Sequence, residues 1–468
     1  MAPTMAAPAY TATPRSPFPL QLSPRALRSP RSPMTFSQSE VLSPRAMAKQ
    51  EKDLCLPAQG SIYIHKPDQD FWNVRCAETL DAFMKAAGSY TPAQRAAHLQ
   101  LLSEIIVPCM GPHPATAPTK PLLTADGSPF EPSWNITDSG SSSIRFSFEP
   151  MGRHGGSASD PFAQKIIPAI LPALRMVSHG VDTRWFEQFM SALFLTEAES
   201  ETTLSRLPKG TRAPTSFLAF DLDGAKAVFK AYFFPVLKHI ATGASTEDIT
   251  FDAIRTLSPR GADLSQSANA TEEYFKNCPF AIPVEMIALD CIDPAEGARV
   301  KVYARTRSNA FNVVRNVVTL GGQIKDEATM KGLEILKGIW HLLHNEAEPH
   351  DDDWNKEPKM VNTLHKGICY GFELKPGAKW PEVKAYVPLW QYADSDAVIS
   401  ANLAQAFRSR GWAVAEKYQD DMARCFPRSD LSKTTGTHSY ISFAYSEKKG
   451  AYLTIYYSIR PQDSLLAF

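Results

Sequence analysis

An α+β fold, built on one large antiparallel sheet with helices along one side, is what this sequence predicts. Three observations carry it. Strand-like runs recur at 143–149, 217–221, 226–234, 283–291, 299–305, 368–374, 381–388, 439–446 and 451–458. Neighbouring runs are joined by turns as short as Asp223-Gly224 and Lys448-Lys449-Gly450, and strands joined that tightly run antiparallel. Helical stripes fall between the strand pairs without the strict strand–helix–strand alternation of a doubly wound sheet.

Taken in order, residues 1–50 stand apart. They hold nine of the 37 prolines, repeat Ser-Pro at Ser16, Ser23, Ser29, Ser32 and Ser43, and reach their first acidic residue at Glu40. So few large apolar side chains cannot offset the ordering entropy, and a disordered tail is expected. An Arg- and Ser-rich, acid-poor start also resembles an organellar transit peptide, but the prolines spoil the amphipathic helix that one needs. From about Leu56 the composition is globular, and 51–468 reads as a single domain. Trp185, Phe186, Phe189, Met190 and Leu193 follow helical spacing after the potential N-cap Asp182. Leu333, Leu336, Trp340 and Leu343 mark a second helix, and Val398, Ile399, Leu403 and Phe407 a third that ends at Gly411, a residue suited to a left-handed cap.

Composition bounds the function. The 468 residues carry 49 basic and 49 acidic side chains, so the chain as a whole is no electrostatic surface for nucleic acid. No apolar run approaches the ~18 residues of a membrane span, and no apolar block of a secretory signal follows the N-terminal arginines. The seven cysteines (Cys55, Cys76, Cys109, Cys278, Cys291, Cys369, Cys425) are scattered singly, which argues against a disulfide framework and a structural zinc site. A cytoplasmic protein is expected, with neither nucleic acid nor membrane as partner.

The chemistry lies in a repeat. Lys230-Ala231-Tyr232, Arg299-Val300-Lys301-Val302-Tyr303 and Lys384-Ala385-Tyr386 each place a cation and a tyrosine two residues apart within a strand-like run. Side chains alternate faces along a strand, so Lys and Tyr of each copy point the same way, while Val300, Val302, Val383 and Val387 suit the opposite face. Buried cations are costly unless they meet anions. Lys230, Arg299, Lys301 and Lys384 converging on one cavity would suit a ligand with several negative oxygens, such as diphosphate. Tyr452 and Tyr456, four apart on the last strand, add aromatic faces that attract a cationic fragment. A diphosphate beside rings that shelter a carbocation is the apparatus of allylic prenyl transfer. The acidic runs Asp351-Asp352-Asp353 and Asp420-Asp421 do not match the DDxxD pattern that holds magnesium in ordinary isoprenoid synthases, and read as solvated loops or helix ends. Gly152-Arg153-His154-Gly155-Gly156 lacks nucleotide-loop spacing and reads as a turn.

These residues, with Pro129-Phe130-Glu131-Pro132-Ser133-Trp134-Asn135, Ile144-Arg145-Phe146-Ser147-Phe148-Glu149-Pro150, Ala219-Phe220-Asp221-Leu222, Lys230-Ala231-Tyr232-Phe233-Phe234-Pro235 and Tyr452-Leu453-Thr454-Ile455-Tyr456-Tyr457, resemble the fungal dimethylallyltryptophan synthase family of aromatic prenyltransferases over roughly 60–465. The resemblance implies a PT barrel of ααββ units, ten antiparallel strands around a lumen with helices outside. It implies metal-independent transfer from dimethylallyl diphosphate to an electron-rich aromatic ring in secondary metabolism, with no cofactor required. By matching positions, Arg145, Lys230, Arg299, Lys301 and Lys384 would hold the diphosphate; the last is often Gln in relatives. Tyr232, Tyr303, Tyr386, Tyr452 and Tyr456 would shield the cation. Glu131 matches the glutamate that accepts an indole N–H.

Two departures bear on the acceptor. Members using free tryptophan place a lysine shortly before the Asp-Leu motif, where this chain has Thr215-Ser216-Phe217-Leu218. They also carry a tyrosine where Phe234 stands and an arginine within the run that here reads Glu285-Met286-Ile287-Ala288-Leu289. A bare carboxylate would lack its partner, so a phenolic polyketide or an indole inside a cyclic dipeptide is favoured over free tryptophan or tyrosine. The reading from another class is a non-catalytic binder of prenyl diphosphates, which would have no use for Glu131. Whether the protein is a homodimer is left open.

Overall fold

In the computed structural model, residues 62–208, 210–360 and 365–459 are described. The expected tail lies outside them. The compact unit formed by Ala58–Leu207 with Thr211–Phe468 holds all the architecture that follows.

Ten strands close into a barrel. They are β1 (Phe130–Thr137), β2 (Ser142–Phe148), β3 (Ser216–Asp223), β4 (Lys226–Phe233), β5 (Val284–Asp290), β6 (Val300–Thr306), β7 (Ile368–Leu374), β8 (Glu382–Pro388), β9 (His438–Ser446) and β10 (Gly450–Tyr457). Each pairs antiparallel with its neighbours in sequence, and β1 closes on β10 through Ser133–Tyr456 and Thr137–Tyr452. Closure leaves no free edge, so every backbone ladder is satisfied within the barrel.

Alternation along the strands divides their side chains between two environments. Outward residues are apolar and buried: Phe146 of β2, Phe220 of β3 and Phe229 of β4 form an aromatic row, with ring centroids 5.7 and 5.6 Å apart. The row continues onto Phe186, 5.8 Å from Phe229, in the helix α1 (Arg184–Leu193). The stripe of Trp185, Phe186, Phe189 and Leu193 is that helix's buried face, as its spacing requires. The other two sequence stripes are likewise buried faces, of α2 (Glu327–Leu343) and α3 (Asp396–Ser409). Gly411, at φ 68°, adopts the left-handed conformation just past α3. The main hydrophobic core is thus a sleeve between barrel and helices, and the lumen carries a separate small cluster around Tyr303, Ala288 and Cys369.

The remaining expectations meet their elements as follows. Asp352 pairs with Arg315 and Lys337, Asp421 with Lys417 and Arg424, and neither acidic run enters the lumen. Among the described residues no helix is long and apolar enough to cross a membrane.

Candidate active site in the barrel lumen

Register stacks the inward side chains in three layers. In the upper layer, cations and carboxylates alternate round the barrel. Directly opposed pairs are Arg145 and Asp221, Lys230 and Asp290, and Lys301 and Glu373. Opposite charges facing across antiparallel strands stabilise the pairing, where like charges would oppose it.

Distances make this a nearly continuous belt. Asp221 meets Arg145 Nε at 3.2 Å and Lys230 Nζ at 2.5 Å. Asp290 meets Lys230 at 3.6 Å, Arg299 Nε at 2.5 Å and Lys301 at 3.5 Å. Glu373 meets Arg299 at 2.9 Å, Lys375 at 3.4 Å, Lys384 at 3.6 Å and Lys301 at 3.7 Å. Glu382 pairs with Lys375, lies 3.6 Å from Lys384, and accepts a 2.9 Å hydrogen bond from the Tyr452 hydroxyl. Burial alone would raise the acids, yet Lys301, Lys230 and Arg299 outweigh it and hold Asp290 well below the usual carboxylate range. Lys384, Lys301 and Arg299 do the same for Glu373. Lys301 itself is pushed down to about 8, first by burial and then by the cations beside it, against the pull of Asp290 and Glu373. Glu373 Oε2 remains buried without a hydrogen bond, because its lysines stand just beyond reach. Six cations face four carboxylates, so the belt keeps a positive excess for an incoming anion.

Below it lies a girdle of Tyr232, Tyr303, Tyr386 and Tyr456. Successive ring centroids are 6.2, 5.6 and 6.1 Å apart. Burial raises their hydroxyl pKa values, so the rings stay neutral. Gly371 permits the closest approach: a Cβ there would lie 3.1 Å from Tyr303 Cε1 and 3.3 Å from Tyr386 Cε2. Tyr452 stands a layer higher than these four, its ring between Lys384 Nζ (5.1 Å) and Lys449 Nζ (5.8 Å).

The deepest layer holds Glu131, Arg305 and Tyr440. Burial pushes Glu131 up to about 8, offset in part by a hydrogen bond from the Ser439 hydroxyl and reinforced by Asp126. Ser439 reaches it because the ladder slips there: Tyr456 faces Tyr440 while Tyr457 faces His438. The extra residue turns its side chain inward, as a bulge does. A second slip, between Val284 and Met286, accommodates Glu285, which binds Arg305 Nε at 2.7 Å. Phe217 and Phe234 pack edge to face at 4.7 Å.

All the sequence candidates therefore share one lumen. Sequence reasoning missed Asp221, Asp290, Glu373 and Glu382 as belt members. A spacing signal existed: Asp221 precedes Lys230, and Asp290 precedes Arg299, by nine residues in each case. It also missed Arg305, two residues beyond Tyr303 and so on the same face. Outside the lumen, Ser400, His438 and Asp396 form a hydroxyl–imidazole–carboxylate chain of 3.3 and 3.1 Å. All three are at most 2% exposed beneath α3, so no substrate reaches them and their role is structural.

A positive belt suited to diphosphate, neutral aromatic rings below it and the carboxyl of Glu131 deeper still can ionise an allylic diphosphate, shelter the cation and present a ring to it. Comparison with known proteins agrees with that chemistry. Residues 68–421 match the family described as tryptophan dimethylallyltransferase. The indole diterpene prenyltransferase terF of Tolypocladium album is 38% identical over 405 residues, covering 83% of this chain and 93% of its own. The O-glucose prenyltransferase PaPT of Phomopsis amygdali is 36% identical over 407 residues, 83% of this chain and 89% of its own. Among solved structures, AnaPT of Neosartorya fischeri superposes with a TM-score of 0.74 at 27% identity, covering 88% of this chain and 97% of its own. NotF, in complex with brevianamide F and DMSPP, does so at 0.73 and 26%, covering 87% and 99%. The barrel is thus the PT barrel, and the chain belongs to the tryptophan dimethylallyltransferase family of aromatic prenyltransferases.

Proposed function

We propose that this chain moves a dimethylallyl group from dimethylallyl diphosphate onto an indole carried within a larger neutral molecule. The observation that supports this best is the vertical order of the lumen: charge belt, tyrosine girdle, then Glu131. Arg145, Lys230, Arg299, Lys301 and Lys384 take the diphosphate and neutralise it as the C1–O bond breaks and its electron pair leaves with the oxygen. Cations fixed in advance by carboxylates stabilise that charge without reorganising, as preorganised electrostatics do. No metal is required in this scheme. Tyr232, Tyr303, Tyr386 and Tyr456 offer their faces to the allylic cation and exclude water from it, and Tyr452 closes over the diphosphate from above. Glu131 accepts the indole N–H, raising electron density on the ring; a ring carbon forms the new C–C bond, and loss of its proton restores aromaticity.

The acceptor follows from what the deep layer lacks. The lumen positions of β5 are Met286 and Ala288, so that strand offers a free carboxylate no cation, and the charge of Arg305 in the same layer is already balanced by the bulged Glu285. Relatives described as acting on indole diterpenes favour the indole over a phenolic polyketide. We place the enzyme in the cytoplasm, in the making of an indole alkaloid or a related secondary metabolite. Incubation with dimethylallyl diphosphate and EDTA, against tryptophan, tyrosine, tryptophan cyclic dipeptides and hydroxylated polycyclic aromatics, tests the reading. A prenyl mass gain on the neutral indoles supports it, a gain on tryptophan alone refutes the acceptor, and donor binding without transfer to any refutes the reaction.

A further inference from the structure

We propose that Arg305 is a second anchor for the acceptor, binding a neutral oxygen (an amide carbonyl or a hydroxyl) at the end of the molecule remote from its indole. The inference rests on the reading of the lumen as the transfer site and deepens it. In the strand order, β6 lies five strands from β1 in either direction, so Arg305 and Glu131 arise from opposite walls, and consecutive residues of β9 meet them at one level, Ser439 bonding Glu131 and Tyr440 bonding Arg305. An aromatic molecule below the girdle with its N–H on Glu131 therefore extends towards Arg305.

The guanidinium is poised for a ligand. Its Nε is held by Glu285 at 2.7 Å, and its Nη2 donates to the Tyr440 hydroxyl at 3.4 Å, with Cζ 5.9 Å from that ring's centroid. Tyr440 is steadied in turn by a 2.6 Å hydrogen bond with His365 Nδ1. Arg305 Nη1, however, is buried with no hydrogen-bond partner. A buried donor left unmade is expensive, so an oxygen brought within its reach gains more than it would at a surface. Glu285 already balances the charge. The preferred oxygen is therefore neutral, and a carboxylate would have to compete with Glu285.

The probes are 3-methylindole, which has no oxygen, and the cyclic dipeptide of tryptophan and proline, which is neutral and carries two carbonyls. Steady-state rates are compared for the full chain and for the double variant Glu285→Gln/Arg305→Met, which removes the donor without stranding the carboxylate. Calorimetric titration of the dipeptide into protein loaded with the thiolo-diphosphate analogue of the donor gives affinity apart from turnover. The expected result is a ~10- to 100-fold rise in KM and Kd for the dipeptide, with kcat/KM for 3-methylindole and KM for the donor unchanged. Equal losses on both acceptors would overturn the proposal, as would absence of measurable dipeptide binding to the wild type. Binding that depends on Arg305 without transfer would uphold the anchor and sink the reaction instead.

Discussion

Glu131→Gln separates what Glu131 does for the fold from the catalytic role proposed for it. Its carboxyl is raised from 4.5 to about 8, chiefly by burial. A carboxyl whose folded pKa is raised leaves stability intact below its unfolded value and removes it progressively as pH climbs towards the folded value. Each pKa unit is about 1.4 kcal/mol, so at pH 7 the wild type forgoes up to ~3 kcal/mol, and at pH 4.5 essentially nothing. Glutamine has no proton to lose. The variant is expected to melt several degrees above the wild type at pH 7.5 and alongside it at pH 5, read by calorimetry. Its turnover should move the other way. Only the carboxylate accepts an indole N–H with full charge assistance, so wild-type kcat/KM for the acceptor should climb steeply from pH 6 and level only above pH 8. The variant should be flat and about 10²–10⁴-fold slower. A melting difference independent of pH, or a wild-type profile without slope, would refute the assignment.

Three further perturbations address the layers above. Lys301, lowered to about 8, sheds its proton in the free enzyme above that pH, so KM for the donor should rise between pH 8 and 9.5; Lys301→Arg should flatten the rise. Glu373→Gln removes the carboxylate shared by Arg299, Lys301, Lys375 and Lys384 and should cost about 3–5 kcal/mol, and inorganic diphosphate should raise the variant's melting temperature more than the wild type's. Gly371→Ala pushes a methyl between Tyr303 and Tyr386, so an overpacking loss of about 1–3 kcal/mol is expected, together with more hydrolysis of the donor per transfer, read as dimethylallyl alcohol released.

Much of the barrel was legible because its two faces differ chemically. Period-two runs of Phe, Val and Ala against Lys and Tyr located every strand but β1, and assigned the inward face correctly at Lys230, Tyr232, Lys301, Tyr303, Lys384 and Tyr386. β1 escaped the periodicity because Pro132 cannot donate to a ladder and reads as a breaker, although it sits opposite Phe146 within the pairing. The carboxylates of the belt escaped for another reason. Alternation along β8 puts Glu382 on the face of Lys384, but which of Asp221, Asp290 and Glu373 meets which cation is set by the register between strands. Ser439 and Glu285 lie where the ladders slip, and there the rule of alternation itself gives the wrong face.

The separation of the sleeve core from the lumen has an evolutionary consequence. A change at an inward position such as Met286, Phe217 or Tyr440 alters what the cavity accepts, while the adjacent outward residue continues to pack under the helices. Selection can thus explore new acceptors one wall position at a time without approaching the stability threshold that purges most core substitutions. Relatives described as an indole diterpene prenyltransferase and an O-glucose prenyltransferase, 38% and 36% identical to this chain, are what such decoupling would leave behind.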